Sequence, residues 1–292
     1  MQWKTKITEL LGCKYPILQG ATDQIGTWQF AASIADTGAH ATITAAVSKT
    51  PENLRDDIRR CRDATHGSFG VNLSFGFSQR MEEMLEVCIA EQVPLETSAY
   101  KPDALAPRIR EAGLKWIHKT ARIKDAVHAQ ELGAQAIILV GLEGAGLKSP
   151  QQIPTMTTIL EGRRKLSVPV IAAGGIGDVR GFLGALALGA EGIMMGSAFL
   201  TTKECPISGE IKRKMLQLRL DDPEFCKRVL TPLPLNPNDL IKMDSQEIDW
   251  SQTVSFAVAG IDHILTVQEL ICGIISDAEA VLHSSPLGGA EK

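Results

Sequence analysis

The sequence predicts an α/β fold, a (β/α)8 TIM barrel with a helical and loop insertion after strand eight. Short apolar segments alternate with longer amphipathic ones eight times, which is the pattern of repeated strand–helix units. Few polar residues interrupt the apolar segments, as is typical of strands buried on both faces of a parallel sheet. The length of 292 residues is close to the value of about 250 that is usual for one such barrel.

Each predicted strand is a short apolar run, and each is followed by a helical pattern. The strands cover residues 15–20, 40–45, 69–73, 93–96, 115–119, 136–140, 168–173 and 192–195. The helices cover residues 27–36, a segment that starts after Thr50, then 79–90, 102–112, 123–132, 153–166 and 178–188, and a short helix opens at Gly196. Periodicity alone also allows an open doubly wound sheet, but eight evenly spaced units favour a closed barrel.

The pattern changes after the eighth unit. Residues 1–200 form the predicted barrel, and residues 201–260 contain several prolines and few strand signals. We interpret the second segment as an insertion over the barrel mouth. Residues 261–292 are expected to return to the barrel as a helix over 266–282 and to end in a frayed tail.

Composition excludes several classes of protein. The formal net charge is −4 and no basic patch dominates, so we expect no nucleic-acid partner. No apolar run reaches the roughly 18–20 residues of a membrane span, and the first residues lack the apolar core of a secretory signal. The six cysteines are far apart and form no metal-binding spacing with the histidines. We therefore expect a cytoplasmic protein with reduced thiols and no metal.

Two glycine-containing loops follow the last two predicted strands. Gly174 and Gly175 come directly after strand seven, and Gly196 and Ser197 come directly after strand eight. Barrels of this class often bind a phosphate with these two loops, because glycine lets backbone N–H groups approach the anion closely. Each loop alone also fits an ordinary turn that ends a strand, but the two together favour a phosphate site. Their spacing is not that of a Rossmann dinucleotide fingerprint.

Three polar residues lie at strand ends that face the same mouth. Gln19, with Gly20 beyond it, ends strand one, Asn72 interrupts the apolar third strand, and Lys119 ends strand five. A buried amide or ammonium group without partners is costly, so these groups require a polar ligand or one another. Lys119 is a candidate catalytic group, because its cation would stabilise negative charge that develops on a bound ligand. The alternative for Lys119 is a salt bridge with a neighbouring carboxylate.

These pieces together resemble the nitronate monooxygenase family, closest to its NADH:quinone reductase branch and more distantly to FMN-dependent enoyl-acyl-carrier-protein reductases. The matching segments are residues 16–20, 69–73, 96–97, 118–119, 169–175, 185–190, 195–197 and 204–206. The resemblance implies FMN at the barrel mouth, with Gly175, Gly196 and Ser197 at the phosphate. It also implies that Gln19, Gly20, Asn72 and Lys119 line the isoalloxazine ring. The rest of the predicted cofactor-binding set is Ala21, Gly144 and Gly174.

The chain departs from the family at two loops. Leu147 stands where the family has its proposed catalytic histidine, and leucine can neither transfer a proton nor accept a hydrogen bond. Asp23 lies in an altered first loop and is the best remaining acid–base candidate; its alternative role is to cap the next helix. Glu143 and Lys148, which flank the Leu147 loop, are weaker candidates. His40, His66, His128 and His263 are expected to be structural, and His118 to point away from Lys119.

Three functions remain open from the sequence. The first is an FMN-dependent oxidoreductase that transfers hydride to or from a small or acyl substrate, with NAD(P)H as a candidate donor and a quinone or enoyl thioester as candidate acceptors. The second is a redox-neutral flavin isomerase or lyase. The third, which Leu147 motivates, is a non-catalytic FMN-binding subunit. We also consider a homodimer.

Overall fold

A computed structural model describes residues 1–22, 25–74, 80–98, 101–146, 148–231 and 253–284. Eight strands alternate with helices in the predicted order. The strands are β1 (Ile17–Gln19), β2 (Ala41–Thr44), β3 (Phe69–Ser74), β4 (Leu95–Ser98), β5 (Trp116–Thr120), β6 (Ala136–Val140), β7 (Val170–Ala173) and β8 (Gly192–Met195).

One helix precedes the first strand, and the other helices follow strands of the sheet. In chain order they are α1 (Lys6–Leu11), α2 (Trp28–Ala35), α3 (Ala45–Ser48), α4 (Pro51–Ala64), α5 (Met81–Ala90), α6 (Ala106–Glu111), α7 (Ile123–Glu131), α8 (Thr155–Lys165), α9 (Val179–Ala187) and α10 (Ser197–Leu200). The predicted cap of α4 is confirmed: the Thr50 side chain accepts a hydrogen bond from the N–H of Asn53, and Pro51 occupies the first turn.

The eight parallel strands form a barrel. Consecutive strands pair from β2 to β8, and β8 also pairs with β1. The remaining seam, between β1 and β2, is bridged by backbone hydrogen bonds from Gln19 N to His40 O at 2.8 Å and from His40 N to Ile17 O at 2.9 Å. The sequence alone left an open sheet as the alternative, and these bonds confirm the closed arrangement.

The apolar core has two parts. Inside the barrel, Leu18, Ile138, Ile171 and Met194 contact one another and meet Ile7 of α1, which closes the amino-terminal end. A larger layer packs between the strands and the surrounding helices, where its fully buried members include Phe30, Trp116 and Phe182. Because inward-facing and outward-facing residues alternate along each strand, each strand supplies both layers.

Strand β4 is shifted from its predicted position. The sequence predicted residues 93–96, whereas the strand spans Leu95–Ser98. Pro94 has no N–H to donate to the sheet, and the apolar pattern ends before the polar residues that continue the strand. The shift is functionally relevant, because it extends the strand beyond Glu96 to Ser98, which pairs with Lys119.

The segment after β8 contains short helices, α11 (Gly209–Met215) and α12 (Pro223–Leu230), and a 3-10 helix (Phe256–Gly260). The chain then forms α13 (Val267–Ser284), which packs against α9 and α2 on the barrel exterior. The proposed boundaries at residues 200 and 260 stay a prediction. Within the described ranges, no helix combines the length and apolar character needed to cross a membrane.

Candidate active site

Polar side chains line one half of the barrel interior. Strand register places Thr44 beside Asn72 and Asn72 beside Glu96, and it places Ser98 beside Lys119. Register partners in a parallel sheet project from the same face, so these five side chains share the inner face. We call Thr44, Asn72, Glu96, Ser98 and Lys119 the polar wall.

Glu96 is the centre of the polar wall. Its Oε1 atom accepts a hydrogen bond from Asn72 Nδ2 at 2.8 Å and lies 3.0 Å from Lys119 Nζ. Asn72 Nδ2 also donates to Ser98 Oγ at 3.1 Å. The Glu96 side chain is 3% exposed, whereas that of Lys119 is 22% exposed, so the ion pair extends from the interior towards the open end. The salt bridge considered as the alternative for Lys119 is therefore present.

Several buried polar atoms near this wall have no hydrogen-bond partner among the residues that the structure describes. They are Gln19 Nε2, Thr22 Oγ1, Thr44 Oγ1, Asn72 Oδ1 and Glu96 Oε2. An unsatisfied buried polar group costs about 1–3 kcal/mol. A set of such atoms at one end of a barrel therefore indicates a polar ligand there.

Gln19 has a further role at the seam of the barrel. Its Oε1 atom accepts a hydrogen bond from the backbone N–H of Thr42 at 2.9 Å. The Gln19 side chain thus reaches from the end of β1 to β2, across the seam of the barrel. Gly20 donates its N–H to Met195 O at 2.7 Å, and a Cβ at Gly20 would lie 3.3 Å from that oxygen. The roles of Gln19 and Gly20 towards a cofactor stay predictions.

The loop after β7 has a backbone conformation that favours glycine. Gly174 has a φ of 107° and Gly175 a φ of 73°. A Cβ at Gly174 would lie 3.0 Å from Gly144 N, and one at Gly175 would lie 2.8 Å from Glu143 Cβ. The loops after β6 and β7 are therefore packed backbone against backbone. Such a turn leaves N–H groups accessible to an anion.

The loop after β8 is joined to the late segment of the chain. Ser197 Oγ accepts a hydrogen bond from Ser255 N at 2.8 Å, and Glu143 O accepts one from Phe256 N at 3.2 Å. Since an N–H can only donate, the Ser197 hydroxyl keeps its own hydrogen for another acceptor. Among the described residues, no atom lies within 4 Å of a Cβ built at Gly196, so that part of the chain leaves open space beside its backbone.

The two weaker acid–base candidates, Glu143 and Lys148, both bond to neighbouring parts of the chain. Glu143 Oε2 accepts hydrogen bonds from Thr155 N at 2.7 Å and from Thr155 Oγ1 at 2.6 Å, which caps the start of α8. Lys148 is buried and donates to Leu142 O at 2.8 Å. Burial lowers the pKa of Lys148 to about 8, and the nearby Glu143 carboxylate opposes that shift.

The two altered positions that motivated the acid–base hypothesis, Asp23 and Leu147, lie outside the described residues. The alternative role of Asp23 as a helix cap falls on the same undescribed position and stays a prediction. Helix α2 begins at Trp28, and Thr27 is its cap, with its side chain accepting from Phe30 N. Asp23 therefore stays a predicted acid–base group.

The histidines of the barrel are structural. His118 contacts Thr97 Oγ1 through Nδ1 at 2.8 Å on the outer face of the sheet, as the alternation from Lys119 predicted. Its burial lowers its pKa to about 4. His40 contacts Ser68 Oγ at 2.7 Å near the amino-terminal end of the barrel, and burial lowers its pKa to about 3. Both imidazoles are therefore neutral at pH 7.

The sequence missed part of the polar wall. Thr44 and Ser98 were not singled out, and Glu96 was noticed only as part of a family segment. A signal was present, because Asn72 interrupts an apolar run, and Glu96 and Lys119 are charged residues within neighbouring predicted strands. Only the correct register of β4 shows that they meet.

Fold and site together define a ligand-binding (β/α)8 barrel with a polar interior wall and glycine loops at one end. The chain matches the family model "Nitronate monooxygenase" over residues 4–99 and 76–260 and belongs to that family. It is 30% identical over 268 residues to a probable nitronate monooxygenase of Staphylococcus aureus, covering 77% of this chain and 75% of that protein. The chain is therefore a flavin-dependent oxidoreductase.

Other similar proteins have different names. The chain is 31% identical over 231 residues to a hydroxy-methyl-oxo-octahydroindene-carboxyl-CoA dehydrogenase of Mycobacterium tuberculosis, covering 78% of this chain and 64% of that protein. FabK from Thermotoga maritima has a TM-score of 0.81 and 26% identity, covering 96% of this chain and 97% of that one. A nitroalkane oxidase from Streptomyces ansochromogenes, with a TM-score of 0.78 and 19% identity, shows the shared fold.

Proposed function

We propose that the chain binds FMN across the barrel mouth and transfers hydride between NAD(P)H and a small or acyl substrate. The observation that carries the proposal is the set of buried polar atoms without partners beside the polar wall, opposite the glycine loops of β7 and β8. One end of the site is suited to a polar heterocycle, and the other is suited to a phosphate.

The polar atoms fit the pyrimidine edge of the isoalloxazine ring. That edge alternates two carbonyl acceptors with one N–H donor. With respect to the described residues, Gln19 Nε2 is an unpaired donor and Asn72 Oδ1 an unpaired acceptor, and the Thr44 hydroxyl can act as either. The residues present are therefore complementary to FMN, and Gln19, Asn72 and Lys119 are proposed to contact its ring.

The glycine loops fit the phosphate. The left-handed backbone at Gly174 and Gly175 and the open space at Gly196 allow N–H groups to approach an anion. The Ser197 hydroxyl would donate its remaining hydrogen to a phosphate oxygen. Gly20, Ala21 and Gly144 are proposed to contribute backbone contacts between the ring and the phosphate.

When bound, FMN would supply hydride acceptance and donation. The residues of the chain would orient the cofactor and hold charge beside it, with Lys119 fixed by Glu96. Oxidation of a neutral nitroalkane requires removal of a proton from carbon, and Leu147 cannot accept one. Hydride transfer from NAD(P)H to an electron-poor acceptor has no such requirement, and Asp23 is the proposed acid–base group for any proton that follows.

The first proposed substrate class is an acyl thioester, which two of the similar proteins support. One relative is named as a dehydrogenase of a carboxyl-CoA compound, and the chain matches FabK along nearly the full length of both proteins. A quinone acceptor is the second candidate. The apolar Leu147, in place of a polar family residue, is compatible with both.

The test is the visible spectrum of the purified protein, reconstituted with FMN if necessary, followed by anaerobic addition of NADH or NADPH. A flavin spectrum that bleaches supports the oxidoreductase proposal, and reoxidation by an enoyl thioester or a quinone then separates the two substrate classes. A bound flavin that no donor reduces favours the redox-neutral or non-catalytic alternatives. Absence of FMN binding contradicts the cofactor proposal.

A further inference from the structure

One carboxylate oxygen of the polar wall serves two neighbours. Glu96 Oε1 accepts a hydrogen bond from Asn72 Nδ2 at 2.8 Å and forms an ion pair with Lys119 Nζ at 3.0 Å. The Glu96 side chain is almost fully buried. A buried carboxylate requires such partners, because its isolated charge is strongly disfavoured in the interior. Glu96 therefore fixes the geometry of both groups that are proposed to meet the flavin ring.

The orientation of the Asn72 amide follows from this contact. An ionised carboxylate can only accept hydrogen bonds, so the amide group that faces Glu96 must be the –NH2 group. The second donor of that –NH2 group bonds Ser98 Oγ at 3.1 Å. Both amide hydrogens are thus used within the wall, and Asn72 Oδ1 is left as an acceptor that the rest of the site can use.

The same contact also compensates the positive charge of Lys119. A single positive charge next to the ring would stabilise a reduced, anionic flavin, and the Glu96 carboxylate at 3.0 Å offsets much of that field. The wall therefore presents an oriented acceptor and a largely neutral ion pair, which is the salt-bridge alternative that the sequence left open for Lys119.

We propose that Glu96 is a positioning residue that sets how strongly the site favours reduced over oxidised FMN, by orienting Asn72 and by compensating the charge of Lys119. The inference rests on the proposed binding of FMN at this mouth. It concerns the relative affinity for the two redox states of the cofactor, and so it can be measured without any turnover.

The experiment compares the dissociation constants of oxidised and reduced FMN for the wild type, Glu96→Gln, Lys119→Gln and the double variant. Glu96→Gln keeps the size of the side chain and an acceptor oxygen but removes its negative charge. We expect its ratio of oxidised to reduced dissociation constants to rise about tenfold, which corresponds to about 30 mV for a two-electron couple. Lys119→Gln should lower the ratio by a similar factor, and the double variant should return to within about threefold of the wild type.

A matched control is Glu91→Gln, which removes the same charge from a surface cluster with Arg59 and Arg62. Its ratio should equal that of the wild type. The inference is overturned if Glu96→Gln binds FMN with an unchanged ratio, or if the double variant shifts as far as Glu96→Gln alone. If Glu96→Gln does not fold, an unchanged ratio in Lys119→Gln overturns it. A wild type that binds no FMN overturns the proposed function, and this inference with it.

Discussion

The two halves of the barrel interior differ in the kind of side chain that they carry. The half formed by β2–β5 carries the polar wall, with Asn72 and Glu96 each leaving one buried oxygen without a partner in the described part of the chain. The half formed by β6–β8 and β1 carries Ile138, Ile171 and Met194, which pack against one another. The first half keeps hydrogen-bonding capacity for a ligand, whereas the second buries apolar surface.

The difference extends to the loops. On the apolar half, the interior side chains of the strands pack against one another. We therefore expect ligand contacts there from backbone groups beyond the strand ends, at Gly174, Gly175 and Gly196. On the polar half, the strands themselves offer side chains. Stability and ligand binding are therefore separable in this barrel, and substitutions in the two halves should affect them differently.

The largest expected effect on stability comes from the apolar half. Ile171→Ala should lower the free energy of unfolding by about 2–5 kcal/mol, because it removes a fully buried side chain and leaves a cavity. The dissociation constant of FMN for the protein that remains folded should change less than about threefold. Urea unfolding and FMN titration measure the two quantities.

The polar half provides the counterpart to this variant. The double variant Glu96→Leu with Lys119→Met replaces the ion pair by two apolar side chains. Such a replacement often leaves the free energy of unfolding unchanged or raises it. Asn72 keeps its hydrogen bond to Ser98. We expect little loss of stability but at least about tenfold weaker FMN binding. The comparison between the halves breaks down if this variant is as unstable as Ile171→Ala, or if it binds FMN normally.

A second prediction concerns the outer face of the polar half, where polar groups are satisfied within the protein. Burial lowers the pKa of His118 to about 4 from its ordinary value of 6.5, so the unfolded chain binds a proton more readily between these values. Stability contributed by neutral His118 is present above pH 6.5 and is lost as the pH falls towards 4. Each pH unit in this window is worth about 1.4 kcal/mol.

The free energy of unfolding should therefore fall between pH 7 and pH 5, and His118→Gln should reduce that fall by about 2 kcal/mol. His40, whose pKa burial lowers to about 3, acts in the same direction and leaves a residual dependence. Urea titrations at several pH values measure the free energy of unfolding. An equal dependence of that free energy on pH for the wild type and His118→Gln would contradict the prediction.

The sequence predicted the barrel because its strands are apolar runs whose neighbours in space follow one another in the chain. Strands β6 and β8 were placed at their observed bounds for that reason. It missed the end of β4, because Thr97 and Ser98 lack the apolar signature, and it did not identify Glu96 as the partner of Lys119. Which polar groups pair across a barrel depends on register, and register is decided by contacts between strands that a single sequence does not display.

A third prediction tests whether the apolar half contributes to ligand binding through its loops. Gly174→Ala places a Cβ on a residue with a φ of 107° and within 3.0 Å of Gly144 N. The strained backbone should cost about 1–3 kcal/mol, and displacement of the loop should weaken FMN binding about tenfold or more. Thermal unfolding and FMN titration measure these effects.

Gly184→Ala is the matched control for this substitution. It makes the same chemical change within α9, where a Cβ meets no atom within 4 Å. That variant should be as stable as the wild type or more stable by up to about 1 kcal/mol, with unchanged FMN affinity. If Gly174→Ala behaves like this control, the β7 loop does not form the phosphate site.

The smallest expected effect concerns Glu143, whose substitution should lower stability without weakening FMN binding. Glu143→Gln removes a negative charge that caps the start of α8 through Thr155, so the free energy of unfolding should fall by about 0.5–1 kcal/mol. The same carboxylate belongs to a residue whose Cβ lies beside Gly175, where the phosphate is proposed to bind. Removal of like charge near an anion should leave FMN affinity equal or up to about threefold tighter, and the gain should shrink at high salt. Weaker binding of FMN by Glu143→Gln at low salt would mean that the carboxylate supports the phosphate loop, and that stability and binding are coupled in this half of the barrel.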